Sequence, residues 1–583
     1  MADPDWPIGP LAVAAQPDDG EISVTQYEPQ ERTGGEALVE QLIVEGVTDI
    51  FGIPGVQLDW AVEAIRERGD RLRFVVPRHE QATSYMADGY ARTTGKEAVC
   101  MVVPGPGMLN ALSGISTAYA CNARVLFLVG QIPSDTIGKG YGMLHELPDQ
   151  SGMLKKLVKW HAIAEKAEDF PALVNEAFAQ LRSGRPRPVA IELPTDLLQA
   201  RAVSALLPPA PYAPTKPDTG LIGEAAALLA NARFPVIQSG GGVLASDGGE
   251  ALRALAERLQ APVVMSENGR GTLDDRHPLA LTALGGRSVL PHADVVLVAG
   301  SRFLDGHAHP INASAGTKYI YLNVEPNDWE APRLPGLSIL GDARLGLEAL
   351  LAALPADLDR ADVSEKVALV KDWIKLQTGA IQPQTDFVAA LRGTMADDDI
   401  LVSELTQVGY FSNIGYPVHS ARAFITPGYQ GTLGYGFNTA LGAAHGNPGK
   451  RVVSLNGDGG FSWGLQELAT AARENYDLSV VVFVDGYYGN VRRIQNRVFG
   501  KEIGVKLTNP DFELLAKAYG LHTQAVDSPE GLRDALQAAK DRGGPALIQV
   551  AVGVMPSPWA LIHPFVPSMV PVPPNPLGEP EAA

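Results

Sequence analysis

Cysteine is almost missing from this chain: 583 residues contain two, Cys100 and Cys121. Two cysteines cannot staple a fold of this length, and no Cys-x-x-Cys or Cys/His spacing suggests a zinc site. Basic charge is short as well. The 47 Lys and Arg are outnumbered by 66 Asp and Glu, a formal charge of −19, and the densest basic cluster is Lys155, Lys156 and Lys159. Nucleic acid and anionic membrane surfaces repel such a protein. No apolar run approaches the roughly 20 residues that cross a bilayer. The first residues, Met1-Ala2-Asp3-Pro4-Asp5, lack the basic start and apolar stretch of a signal peptide. A cytoplasmic protein with several cores is expected.

What the chain does have is one theme, repeated three times. Short β-branched runs end in Gly or Pro, and stretches rich in Ala, Leu and Glu separate them. The first set lies at 74–77, 98–104, 123–130 and 188–194. The second lies at 235–241, 262–267, 294–301 and 319–325, and the third at 400–405, 451–459, 478–486 and 546–553. Continuously apolar strands are covered on both faces, and the intervening helices supply crossovers, so three parallel-sheet α/β domains are predicted.

Composition sets the boundaries. Residues 1–32 read as a flexible arm, 33–205 as the first domain, 219–355 as a central domain and 380–553 as the third. A proline-rich seam at 206–218 and a softer one at 354–366 divide them. The arm 554–583 has too many prolines for a helix or a central strand. Its Trp559, Phe565 and Met569 favour lying on the surface, where the arm could serve as a lid over a pocket.

The most informative segment is Asn456-Gly457-Asp458-Gly459-Gly460-Phe461, a buried strand running into glycines and then a helix-like stretch at 465–474. Free N–H groups at a helix amino terminus suit an anion, and Asp458 is a hard oxygen ligand suited to Mg²⁺. The next buried strand ends at Asp485-Gly486-Tyr487-Tyr488-Gly489-Asn490, which would put two carboxylates at one sheet edge, where α/β folds bind ligands.

This pair of tracts resembles the cofactor motif of thiamine diphosphate enzymes. The resemblance implies that Asp458, Asp485 and the carbonyl of Tyr487 hold Mg²⁺ on the diphosphate, although Asp485 stands where Asn is usual. It implies further cofactor contacts at Gly457, Gly459, Gly460, Tyr488, Gly489 and Asn490. Arg78-His79-Glu80-Gln81 follows the strand at 74–77 and supplies Glu80, the carboxyl group that activates the coenzyme through pyrimidine N1′. Pro104-Gly105-Pro106-Gly107, with Asn110 after it, matches the family's turn beside the pyrimidine, and Pro54 lies in the similar tract 51–55. Glu404-Leu405-Thr406-Gln407 resembles the upstream diphosphate turn, with Thr406 and Gln407 as contacts. Gly431 and Leu433 lie in the tract that bends the coenzyme. The three domains become pyrimidine-binding, central nucleotide-binding-like and diphosphate-binding. The active unit implied is a homodimer at least, commonly a homotetramer, because each site is shared between two subunits.

Within the family the chain is most similar to acetolactate synthases. This implies decarboxylation of a 2-oxo acid such as pyruvate, followed by carboligation. Departures from the synthase pattern keep other readings open. Asn490 replaces an apolar Met and Ile494 replaces a Trp, a tract that also looks like the branch containing cyclohexane-1,2-dione hydrolase. His79, His145, Gln131 and Asn490 are the candidates for handling the substrate. The tracts Gly240-Gly241-Gly242 and Arg302-Phe303-Leu304-Asp305 partly match the synthases' flavin site, so FAD competes there with ADP or with no ligand. A 2-hydroxyacyl-CoA lyase and a regulatory, non-catalytic paralogue are the remaining alternatives.

Overall fold

The computed structural model describes residues 27–311, 313–314, 316–563, 565–568 and 571–580. It contains three six-stranded sheets in which every pairing is parallel. The first sheet runs, in spatial order, Arg73–Val75, Asp49–Gly52, Ala98–Val102, Val125–Gln131, Val189–Pro194 and Trp160–Ile163. The central sheet is Ala280–Thr282, Val263–Met265, Pro235–Ser239, Val295–Ala299, Lys318–Asn323 and Leu337–Leu340. The third is Phe424–Ile425, Ile400–Ser403, Val452–Gly457, Leu478–Val484, Ala546–Ala551 and His522–Val526.

The four apolar runs read in each set are all strands, and each sheet adds two more. Five of those six additions are sheet edges. An edge strand is covered less completely, so its sequence need not be continuously apolar. His522–Val526 and Trp160–Ile163 contain no fully buried residue.

Two local expectations are corrected. Residues 30–32, assigned to the arm by composition, belong to the strand Gln30–Thr33, which pairs antiparallel with Arg201–Ser204. The arm before residue 27 lies outside the described residues, as does Met569. The helix expected over 465–474 is a 3₁₀ turn, Leu465–Glu467, followed by the helix Leu468–Glu474. A separate short helix, Asp458–Phe461, starts at the aspartate itself, where a Cβ on Gly459 would come 2.7 Å from the Tyr488 ring and one on Gly460 2.5 Å from the Glu404 carboxyl carbon.

One core joins the first and third domains. Phe51, Tyr85 and Met86 pack with Phe437, Leu441 and Val452 in a single buried cluster. It is closed by the helices Glu80–Thr94 and Tyr435–Gly446, which touch backbone to backbone. A Cβ on Gly89 would lie 3.0 Å from the Thr439 carbonyl carbon, and one on Gly442 would strike Met86. Each large apolar side chain buried there stabilises the pairing by about 1.5–3 kcal/mol.

The carboxyl-terminal segment is hydrogen-bonded to helices of the central and third domains and of the stretch between them. Gln384 Nε2 donates to the Pro556 carbonyl (2.6 Å) and Trp373 Nε1 to that of Pro573 (3.1 Å). Ser288 Oγ donates to Asn575 Oδ1 (2.6 Å). Among the described residues, no helix is long and apolar enough to cross a membrane.

Candidate active site

The carboxyl ends of the third sheet frame a cavity lined by Glu404, Thr406, Gln407, Leu433, Asp458 and Asp485, among others. Gly457, Gly459, Gly460, Tyr487, Tyr488, Gly489 and Asn490 complete the wall predicted from sequence. Three helices begin at it. Gln407–Gly415 starts behind Thr406, whose hydroxyl accepts from Gly409 N–H (3.3 Å). Asp458–Phe461 and Gly489–Phe499 start at the two acid-bearing turns. Their free N–H groups and dipoles give the cavity a positive rim suited to a phosphate anion.

The two carboxylates sit within that rim. Asp458 Oδ2 accepts from Gly486 N–H (2.8 Å) and Asn509 Nδ2 (2.7 Å), and Oδ1 accepts from Gly459 N–H (3.0 Å). Asp485 Oδ1 accepts from Tyr487 N–H (2.9 Å). Burial pushes both carboxyls up, and for Asp485 the neighbouring Asp458 charge adds to the rise. The turn carrying Tyr487 is pinned by a second segment: Tyr488 N–H donates to the Val505 carbonyl, and Leu507 N–H to that of Gly486, both at 2.8 Å. Asn509 had no signal in the sequence, since it lies in an ordinary loop.

A divalent cation fits this donor set. Among the described residues no group of three or more His, Cys, Asp or Glu could hold a metal unaided. Two carboxylates and a backbone carbonyl are all hard oxygens, and Mg²⁺ commonly takes only one or two carboxylates and completes its shell with phosphate and water.

Two further polar groups in the wall have atoms without partners. Glu404 Oε1 accepts from Gly434 N–H (3.2 Å), while its Oε2 and Gln407 Oε1 are buried with no hydrogen bond. Burial pushes the Glu404 carboxyl up to about 8, so it is largely neutral at pH 7. Leu433 lies beside it, and Gly431 abuts Leu405.

Every residue lining this cavity lies between 404 and 555. The amino-terminal candidates assemble elsewhere. Glu80 opens the helix Glu80–Thr94, and its Oε2 accepts from Asn110 Nδ2 (3.0 Å). The glycine-rich turn approaches it: a Cβ on Gly107 would lie 3.8 Å from Glu80 Oε1, and Gly105 packs under the backbone of His145. Gln57 Nε2, three residues beyond Pro54, donates to the Leu144 carbonyl (3.2 Å), which joins the Pro54 loop to the His145 loop. His145 has φ +68 and a buried Nδ1 without a partner.

Two of the proposed substrate residues have structural engagements. His79 caps the helix, with Nδ1 accepting from Gln81 N–H (3.2 Å). Gln131 is buried and used at both ends, donating to Glu192 Oε2 (2.6 Å) and accepting from Ile132 N–H (2.8 Å). Glu192 also accepts from Gln150 (2.8 Å), Ser151 and His161 (2.6 Å). Burial opposes ionisation of Glu192, and these donors hold it below the usual carboxylate range.

The family assignment now has its footing. Models of the amino-terminal, central and carboxyl-terminal domains of thiamine pyrophosphate enzymes match residues 32–153, 222–350 and 406–550. The chain belongs to the thiamine pyrophosphate enzyme family. A protein named "Probable 2-ketoarginine decarboxylase" from Pseudomonas aeruginosa is 34% identical over 538 residues, 90% of this chain and 95% of that protein. The acetolactate synthase isozyme 3 large subunit of Escherichia coli is 31% identical over 539 residues, covering 88% and 92%. An acetolactate synthase large subunit of Buchnera aphidicola is 30% identical over 529 residues, covering 87% and 92%. The chain is a thiamine diphosphate enzyme of the acetolactate synthase-like type.

The flavin-like tracts of the central domain pack closely on one another. Gly240 and Gly242 pack against the backbone at Gly300, where a Cβ on Gly242 would come 2.7 Å from Gly300 Cα. The Arg302 guanidinium lies 4.6 Å over the Tyr429 ring, and His307 stacks on Phe565 at 3.5 Å.

Proposed function

We propose that this protein decarboxylates a 2-oxo acid with thiamine diphosphate and Mg²⁺, in a site shared by two copies of the chain. The observation that supports it most is the convergence of three helix amino termini and two buried carboxylates on one cavity. Asp458, Asp485 and the Tyr487 carbonyl would hold the cation, and the N–H groups at Gln407 and Gly489 would face the diphosphate. Bound there, the coenzyme supplies a nucleophilic carbon that adds to a carbonyl and accepts the electron pair left by CO₂.

This chain's own residues do the rest. Glu80 would hold a proton at the pyrimidine, with Asn110 fixing one of its oxygens. Because Glu80 lies outside the cavity of its own chain, a second subunit bringing its amino-terminal domain to that cavity accounts for both halves. Met555 closes part of the wall and keeps water out. The first relative's name favours a longer 2-oxo acid with a guanidino end, and the synthases' names favour pyruvate.

The test is a substrate panel with purified protein, Mg²⁺ and thiamine diphosphate, following CO₂ and coupled products. Release of CO₂ from pyruvate or 5-guanidino-2-oxopentanoate is expected. Ring opening of cyclohexane-1,2-dione without CO₂ from any 2-oxo acid would replace this reading with the hydrolase.

A further inference from the structure

Asn490 holds the first turn of the helix Gly489–Phe499 and lines the cavity. Its amide oxygen accepts two hydrogen bonds, from Trp559 Nε1 (3.1 Å) and from Arg493 Nη2 (3.0 Å). An indole and a guanidinium can only donate, so the atom between them must be the oxygen, and the orientation of the amide is settled by its partners. A carbonyl oxygen has two lone pairs, and both are used. The amide's two N–H groups therefore turn away from Trp559 and Arg493. The Tyr410 hydroxyl, whose ring packs 4.5 Å from that of Trp559, can take one of them at most, leaving an N–H for a ligand.

Neither donor is held there by accident of the surface. Trp559 is set by ring packing, 4.5 Å from Tyr410 on one side and stacked on His563 at 5.1 Å on the other. The Arg493 Nε is buried without a partner, and among the described residues its guanidinium forms no ion pair with a carboxylate. An uncompensated positive charge on an amide oxygen polarises the group and strengthens its N–H donors.

We propose that Trp559 and Arg493 are positioning residues that act through Asn490, presenting its amide N–H to an acceptor oxygen of the substrate. The chemistry required of the ligand is a carbonyl oxygen that becomes anionic when its carbon is attacked, which a preorganised donor stabilises. The inference rests on the cavity being the coenzyme site proposed above. It adds a specific partner from the carboxyl-terminal segment, 69 residues away in sequence.

A double-mutant cycle on reconstituted holoenzyme tests it. Trp559→Phe keeps an aromatic ring between Tyr410 and His563 and removes the N–H together with part of the indole. Asn490→Ala removes the amide, and Asn490→Asp keeps the acceptor oxygen while removing the N–H groups. Trp559→Phe should lower kcat/KM for CO₂ release about 10-fold and Asn490→Asp about 100-fold. Thiamine diphosphate affinity of Trp559→Phe should be unchanged. In the Asn490→Ala background, Trp559→Phe should have no further effect, because its target is gone. Independent, multiplying losses would overturn the proposal, as would full activity in Asn490→Asp. If wild-type protein releases no CO₂ from the panel, the proposed function fails, and the same cycle is read on calorimetric affinity for methyl acetylphosphonate. Binding with the same non-additivity would still support the positioning role, and no binding to wild type would overturn it.

Discussion

His79 N–H donates to Glu467 Oε1 at 3.0 Å, which ties the turn in front of Glu80 to a fully buried carboxylate from the third domain. Arg78 N–H reaches the same group, 2.9 Å from Oε2, and Thr470 Oγ1 supplies a third donor (2.6 Å). The placement of Glu80 is thus set by a residue outside its own sheet.

Glu467→Gln should therefore be costly. An amide offers one acceptor where the carboxylate offers two: at the Oε1 position it still takes the Arg78 and His79 N–H groups, and the buried Thr470 hydroxyl loses its acceptor. A loss of about 1–3 kcal/mol in urea unfolding is expected, with weaker coenzyme binding. Wild-type stability in this variant would show that the clamp contributes nothing.

Two inactive variants should rescue each other. Glu80→Gln and Asp458→Asn each damage one half of a site built by two chains. Statistical exchange of subunits leaves one intact site in each mixed dimer, so about a quarter of wild-type activity should return on mixing. Activity that stays at zero after subunit exchange, verified by mass, would mean that each chain builds its own site.

The two acids should respond differently to amidation. Asp485→Asn keeps an oxygen ligand and removes a negative charge beside the diphosphate, so calorimetry should show Mg²⁺-dependent coenzyme affinity within a few-fold of wild type. Asp458→Asn disturbs an acceptor used by Gly486, Asn509 and Gly459, and should weaken binding more than about 10-fold. Chelation of Mg²⁺ should release the coenzyme from all three proteins.

Glu404 carries a pH signature. Its folded carboxyl is raised to about 8, so the native state holds a proton that the unfolded state has lost, and stability falls as pH rises from about 4.5 to about 8. Glu404→Gln has no such proton. In coenzyme-free protein, the variant should gain on wild type across this window, by roughly 1.4 kcal/mol for each pH unit. A difference that is flat from pH 5 to 9 would rule out a buried, protonated Glu404.

Much of the site was legible because it is local. Asp458 and its glycines, and Asp485 with Tyr487, lie in short tracts whose spacing carries the chemistry, and the alternation of apolar strands carried the three sheets. What escaped was long-range. Glu467 meets His79 across 388 positions, and Asn509 meets Asp458 across 51, with nothing in either local sequence to mark the partner. Gln131 looked free to meet a substrate only because Glu192 sits in an apolar strand, where a lone acid gives no hint of the donors it gathers. The edge strands Trp160–Ile163 and His522–Val526 were missed for a related reason: partial exposure permits polar residues that break the pattern.

Met555 and Trp559 come from the last stretch of the polypeptide, yet one lines the cavity and the other holds a side chain inside it. The three sheets can thus keep their cores while this wall is displaced, so local opening of 555–559 would uncover the cavity without unfolding any sheet.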